Sequence, residues 1–139
     1  MKRILAIALF TIATLSASTG SLAQDRALRA NIPFNFTVGE TQMPAGEYII
    51  TSPSSGLVRV QSQDRRAIAT VSTSQGGHES KAGSKLVFNH YGNQYFLHRV
   101  LCPLTYRLNV DVPVWKAEKK ARMNEAKLDR DDQILVEMK

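Results

Sequence analysis

The chain has 139 residues and a formal net charge of +6, from 18 Lys and Arg against 12 Asp and Glu. Hydrophobic residues at 43% and charged residues at 22% are ordinary for a folded chain, which excludes global disorder, and the length leaves room for one domain. A single cysteine excludes a disulfide framework, because a framework needs pairs.

Met1-Lys2-Arg3 is a short positive start, and Ile4 to Leu15 is an unbroken run of apolar residues and Thr. Ser21-Leu22-Ala23 then places small side chains at the −3 and −1 positions before Gln24, so residues 1–23 read as a secretory signal cleaved after Ala23. A helix of about a dozen residues spans only about 18 Å, short of the ~30 Å a membrane anchor needs. No cysteine stands at the cleavage point, which closes the lipoprotein route, and no second apolar stretch is long enough to span a membrane. The signal carries Lys2 and Arg3 and no acid, so the expected exported chain, periplasmic or extracellular, keeps a formal +4 over 116 residues. A chain of that size buries about two-thirds of its surface and needs no staples.

Residues 24–112 have β texture: short runs of β-branched and aromatic residues punctuated by Gly, Pro, Asn and Ser. Strands are predicted over 30–38, 47–52, 57–62, 67–73, 85–91 and 94–101, with a weaker one over 107–112. Met43-Pro44-Ala45-Gly46 suits a bulged hairpin, with Pro44 opening a turn and Gly46 accepting positive φ. Tyr91-Gly92-Asn93-Gln94 reads as a two-residue hairpin loop with Gly92 at positive φ. The stretch 74–84, which contains His78, is polar and glycine-rich and is expected to be a flexible loop.

After Pro113 the texture changes. Residues 115–128 lack Gly and Pro and are rich in helix formers, with Glu118 and Arg122 at the favourable i,i+4 spacing. Val114, Ala117, Ala121 and Leu128 fall on one narrow face, the expected contact with the sheet. The acid-rich 129–132 breaks the pattern, and Ile134-Leu135-Val136 with Met138 returns as a final strand in preference to a longer helix. The expected fold is all-β and mainly antiparallel: a small meander sandwich or partly closed barrel, with 113–139 packed on the same domain and supplying one C-terminal helix.

Chemistry is sparse. If Tyr91 pairs with Gln94, His90 faces Tyr95, Phe88 faces Leu97 and Val87 faces His98. Faces alternate, so His90 joins Phe88 on one side while His98 joins Val87 on the other, and Tyr91, Phe96 and Val100 also point away from Phe88. One metal ion is then beyond the reach of both histidines, unless a one-residue bulge reverses the phase. Cys102, four positions after His98, reads as a small buried hydrophobe rather than a nucleophile, with an intermolecular disulfide as the alternative. No Gly-x-Ser-x-Gly elbow, phosphate loop or carboxylate pair stands out. The basic residues interleave with acids, so nucleic acid is not expected as a partner. Asn35-Phe36-Thr37 matches a glycosylation acceptor by accident, inside a predicted strand. The candidate ligand slot or surface patch is Tyr91, Tyr95, His90 and Arg99; no catalytic, cofactor or metal residue is assigned.

Two blocks carry a resemblance. Ile32-Pro33-Phe34-Asn35-Phe36, Val38-Gly39 and Met43-Pro44-Ala45-Gly46-Glu47-Tyr48 form the first; Lys85-Leu86-Val87-Phe88-Asn89-His90-Tyr91-Gly92 with Tyr95-Phe96-Leu97 forms the second. Together they resemble small secreted β-rich proteins of soil acidobacteria, a family without an established activity, so no catalytic residue is carried over. Where similar sequences have Asp-Gly, this chain has Asp64-Arg65, and Leu101-Cys102-Pro103 departs from the usual pattern. The expected function is an exported, non-catalytic binding or structural module that meets an envelope partner or an anionic polymer. The alternatives are a carrier of a small apolar or carbohydrate ligand inside a small barrel, and a hydrolase using His and Cys. An outer-membrane barrel would need more and longer strands.

Overall fold

Residues alternate in and out along β-strands, and a chain that turns a corner must break that alternation. The computed structural model describes residues 27–76, 83–102, 108–125 and 132–139. They form β1 (Leu28–Ile32), β2 (Phe36–Val38), β3 (Thr41–Met43), β4 (Gly46–Thr51), β5 (Leu57–Ser62), β6 (Ile68–Ser72), β7 (Ser74–Gln75), β8 (Lys85–Tyr91), β9 (Gln94–Cys102), β10 (Leu108–Asp111), α1 (Lys116–Glu125) and β11 (Asp132–Glu137). The fold is all-β and mainly antiparallel, with one C-terminal helix among the described residues.

The first sheet runs β1-β4-β5-β6 and the second β11-β8-β9-β10-β7. The β2–β3 hairpin joins the second sheet through a parallel contact of Thr37 with Phe96. What reads in sequence as one strand over 30–38 is therefore two, in different sheets. Pro33 lacks the N–H a ladder needs, and the chain bends there. Met43-Pro44-Ala45-Gly46 is likewise not a hairpin turn: β3 pairs with β2, and β4 pairs with β1. The hairpin's own turn is Gly39-Glu40, between the paired Val38 and Thr41, with Gly39 at φ +64.

β1–β2 and β3–β4 are thus one long ribbon folded across a corner, with a proline on each arm. Ile32 pairs with Gly46 before the bend and Phe36 with Met43 after it. The first arm spends one residue more on the bend. The Ala45 N–H donates to Asn35 Oδ1 at 2.9 Å, clasping the arms, and the Tyr48 hydroxyl donates to the Pro44 carbonyl.

The two sheets meet at a seam. Ala30 bridges Met138, and the backbones of Arg29 and Lys139 exchange N–H···O bonds of 2.9 Å. β11 thereby lies between β8 and the start of β1, and the sheet curls into a half-barrel. Its inside is filled by Ile32, Phe36, Tyr48, Ile50, Phe88 and Leu97 among others. Full burial of such side chains contributes about 1.5–3 kcal/mol each.

Three local expectations change. Residues 74–75 are a strand on β10 rather than loop, while 77–82, with His78, lie outside the described residues. The predicted β8–β9 register holds from Tyr91–Gln94 to Phe88–Leu97, then shifts: Val87 faces Arg99, and His98 is an unpaired bulge residue. The shift also turns Val100 into the core beside Phe88 instead of away from it. Finally, α1 buries Glu118 and Ala121, while Ala117 is exposed and Leu128 lies outside the described residues.

Candidate binding groove

A helix this polar docks only if its contacts with the sheet are polar too. Glu118 is 2% exposed, and its Oε1 accepts from Asn89 Nδ2 at 2.9 Å and from the Tyr91 hydroxyl at 3.4 Å. One turn later Ala121 packs with Tyr91 and Phe96 in a small apolar cluster separate from the main core. At the end of α1, Glu125 Oε1 accepts the Gly92 N–H of the β8–β9 turn. Glu118, Ala121 and Glu125 lie three and four apart, on one helix face, and fasten α1 across the β8–β9 hairpin.

The docked helix leaves a groove of about 830 Å³ between itself, the β8–β9 turn and the β2–β3 hairpin. Phe36, Met43, Phe96 and Ala121 supply its buried apolar floor. Five carboxamides line it: Asn35 at the corner, Gln42 on β3, Asn93 and Gln94 at the turn, and Asn124 on α1. Glu40 and Lys120 are its two charged side chains. Apart from Asn35, these polar side chains are exposed and make no hydrogen bond or ion pair with another described residue. A second depression, of about 510 Å³, lies beyond Pro44 and is lined by Tyr48, Ser62 and Asp64.

The four residues singled out from sequence do not converge. His90 and Tyr95 stack, with ring centroids 4.4 Å apart, and Phe34 stacks on Tyr95 at 4.1 Å. Tyr95 is held between two rings, so neither of its faces is a platform for a ligand. Tyr91 lies with α1, under Ala121 and Glu118. Arg99 is tied to Asp111 in a partly buried ion pair. Only Tyr95 lines the groove. In sequence Asn35 and Gln94 fall in predicted strands, Asn93 in a hairpin loop and Asn124 in the helix; their convergence depends on the corner and on helix docking.

Histidine and thiol are likewise apart. Cys102 stands seven positions beyond Tyr95, the partner of His90, which is roughly 20 Å along a strand. Cys102 is fully buried, and its sulfur accepts from Ser84 Oγ at 3.1 Å. His98 Nδ1 is buried without a hydrogen-bond partner among the described residues.

Asp64 and Tyr48, both at the depression beyond Pro44, have displaced ionisations. Hydrogen bonds from Ser62 Oγ and the Arg66 N–H hold the Asp64 carboxyl below its ordinary range. Burial pushes the Tyr48 phenol up, and the nearby Asp64 charge adds to the rise. Among the described residues no cluster of three or more His, Cys, Asp or Glu is placed to hold a metal ion. No helix there is long and apolar enough to cross a membrane. Comparison with protein-family models, with curated proteins and with solved structures finds no match to this chain.

Proposed function

We propose that the chain is an exported, non-catalytic binding module of the cell envelope, and that its ligand sits in the groove beneath α1. The groove carries this reading: 830 Å³ is within the range of ligand sites, about 300–1,000 Å³, and its floor is apolar under a rim of polar groups that have no partner among the described residues. Export is supported by the Lys2-Arg3 start, the Ile4 to Leu15 run and the small residues before Gln24. The resemblance of the corner block and the β8–β9 block to small secreted acidobacterial proteins points the same way.

Fractionation of the native host with N-terminal sequencing tests export, with Gln24 expected as the first residue of the exported form. For binding, the full chain is used as bait on the envelope fraction beside Asn124→Trp, which fills the groove from an exposed helix position. Loss of the captured component with Asn124→Trp is expected. Equal capture by both forms would place the ligand elsewhere and overturn the reading.

A further inference from the structure

We infer that the groove takes a neutral, polyhydroxylated ligand, a short stretch of uncharged polysaccharide. This rests on the groove being the binding site and names what that site selects.

A carboxamide offers two N–H donors and a carbonyl acceptor, and a sugar hydroxyl both donates and accepts. Five carboxamides converge here from four separate segments. Asn35 spends its oxygen on the Ala45 N–H; among the described residues its donors, and both functions of Gln42, Asn93, Gln94 and Asn124, have no partner. Tyr95 also lines the groove, with Phe34 and His90 stacked on its ring. Below these groups Phe36, Met43 and Phe96, each 4% exposed or less, close the floor of the groove and leave recognition to the polar rim.

Charge argues against an anionic polymer. Glu40 and Lys120 cancel, and Arg99, the other cation considered for the site, is already paired with Asp111. An extended peptide adding to the sheet is disfavoured too, because β3, the strand at the groove's edge, is three residues long and offers a very short ladder.

Affinity electrophoresis of the full exported chain tests the inference, in native gels containing dextran, mannan, laminarin or hydroxyethyl cellulose, with alginate as the anionic counterpart. At least one neutral polysaccharide is expected to retard the chain. The retardation is expected to survive about 0.5 M salt, because contacts with uncharged groups escape ionic screening. Gln42→Ala and Asn124→Ala are each expected to weaken it about fivefold, the worth of one neutral hydrogen bond, with Thr70→Ala on the far sheet as control. Thermal melts of each variant confirm that the fold is kept.

Retardation by alginate alone, or by no polysaccharide, overturns the neutral-glycan assignment. A photoreactive side chain at position 124, illuminated in the native envelope fraction, separates that failure from failure of the groove. An adduct with a protein or an anionic polymer leaves the groove as the site and replaces its ligand class. No adduct, together with no retardation, removes both readings.

Discussion

Asn89 on β8 donates to Glu118 on α1 across 2.9 Å, and the carboxylate that accepts is almost wholly buried. A short helix with little apolar surface is held to the sheet by a charge-assisted hydrogen bond, which is stronger than a neutral one. Without Glu118, the amide of Asn89 would face the underside of the helix with no acceptor.

Glu118→Ala is therefore expected to destabilise the fold by about 1–3 kcal/mol, the cost of leaving a buried polar partner unsatisfied. Glu118→Gln keeps an acceptor and is expected to cost less. Hydrogen exchange checks the mechanism: amides of 116–125 should lose protection in Glu118→Ala while those of β4 and β5 keep theirs.

Arg65 has φ +60, the one described non-glycine residue with positive φ. The turn forms because Asp64 accepts from Ser62 Oγ and the Arg66 N–H, which over-determines the backbone around Arg65. Replacing Arg65 with glycine relieves the steric penalty, and a gain of about 0.5–1 kcal/mol is expected. Chemical denaturation gives the value. A β-branched residue there, as in Arg65→Val, should move stability the opposite way.

Asp64 makes stability depend on acid. Its folded pKa lies below the unfolded value, so its contribution is complete above the ordinary carboxyl pKa of about 4 and disappears as pH falls through the folded pKa. Denaturation midpoints across the acid range should fall less steeply for Asp64→Asn than for the unmodified chain.

Tyr48 works at the other end of the scale. Its raised phenol pKa favours the protonated fold, so its contribution is complete below about pH 10, the unfolded value, and is lost as pH rises through the folded one. Tyr48→Phe is expected to flatten that alkaline loss. At neutral pH it removes the hydrogen bond to Pro44 and costs about 0.5–1.5 kcal/mol, while the edge-on contact with Phe36 at 5.0 Å remains.

Cys102 should ignore thiol reagents in the native protein. It is fully buried with Ser84 Oγ against its sulfur, so labelling by a maleimide is expected only after denaturation. Rapid labelling of the folded chain would contradict its placement.

The strands were legible because alternation and turn residues agree along most of the chain: Val58 and Val60 alternate with Arg59, and Gly92 sits at φ +63 where a two-residue loop needs it. The corner was not legible. Residues 30–38 carry a continuous β signal, and Pro33 alone is tolerated at a strand edge. What makes a bend of it is Pro44 on the facing arm, and that pairing is non-local. The bulge at His98 left no mark either, since neither glycine nor proline stands there. Glu118 reads in sequence only as the i,i+4 partner of Arg122, because the groups that satisfy it, Asn89 and Tyr91, lie 29 and 27 residues upstream. The candidate site was half visible for the same reason. Tyr95 and His90 stand opposite each other in a register the turn dictates, whereas the carboxamides meet only after the ribbon has bent and α1 has docked.

The seam also orders events in time. Synthesis runs from the amino end, so β11 is the last described strand to be made, yet it lies between β8 and the start of β1. Until residues 132–139 emerge, the facing edges of β1 and β8 have no strand between them, and the half-barrel stays open along its length. Unpaired edges invite pairing with other chains, so the newborn protein is most vulnerable just before β11 arrives. The same strand that closes the half-barrel delays its closure, because no earlier described strand can take its place beside β8.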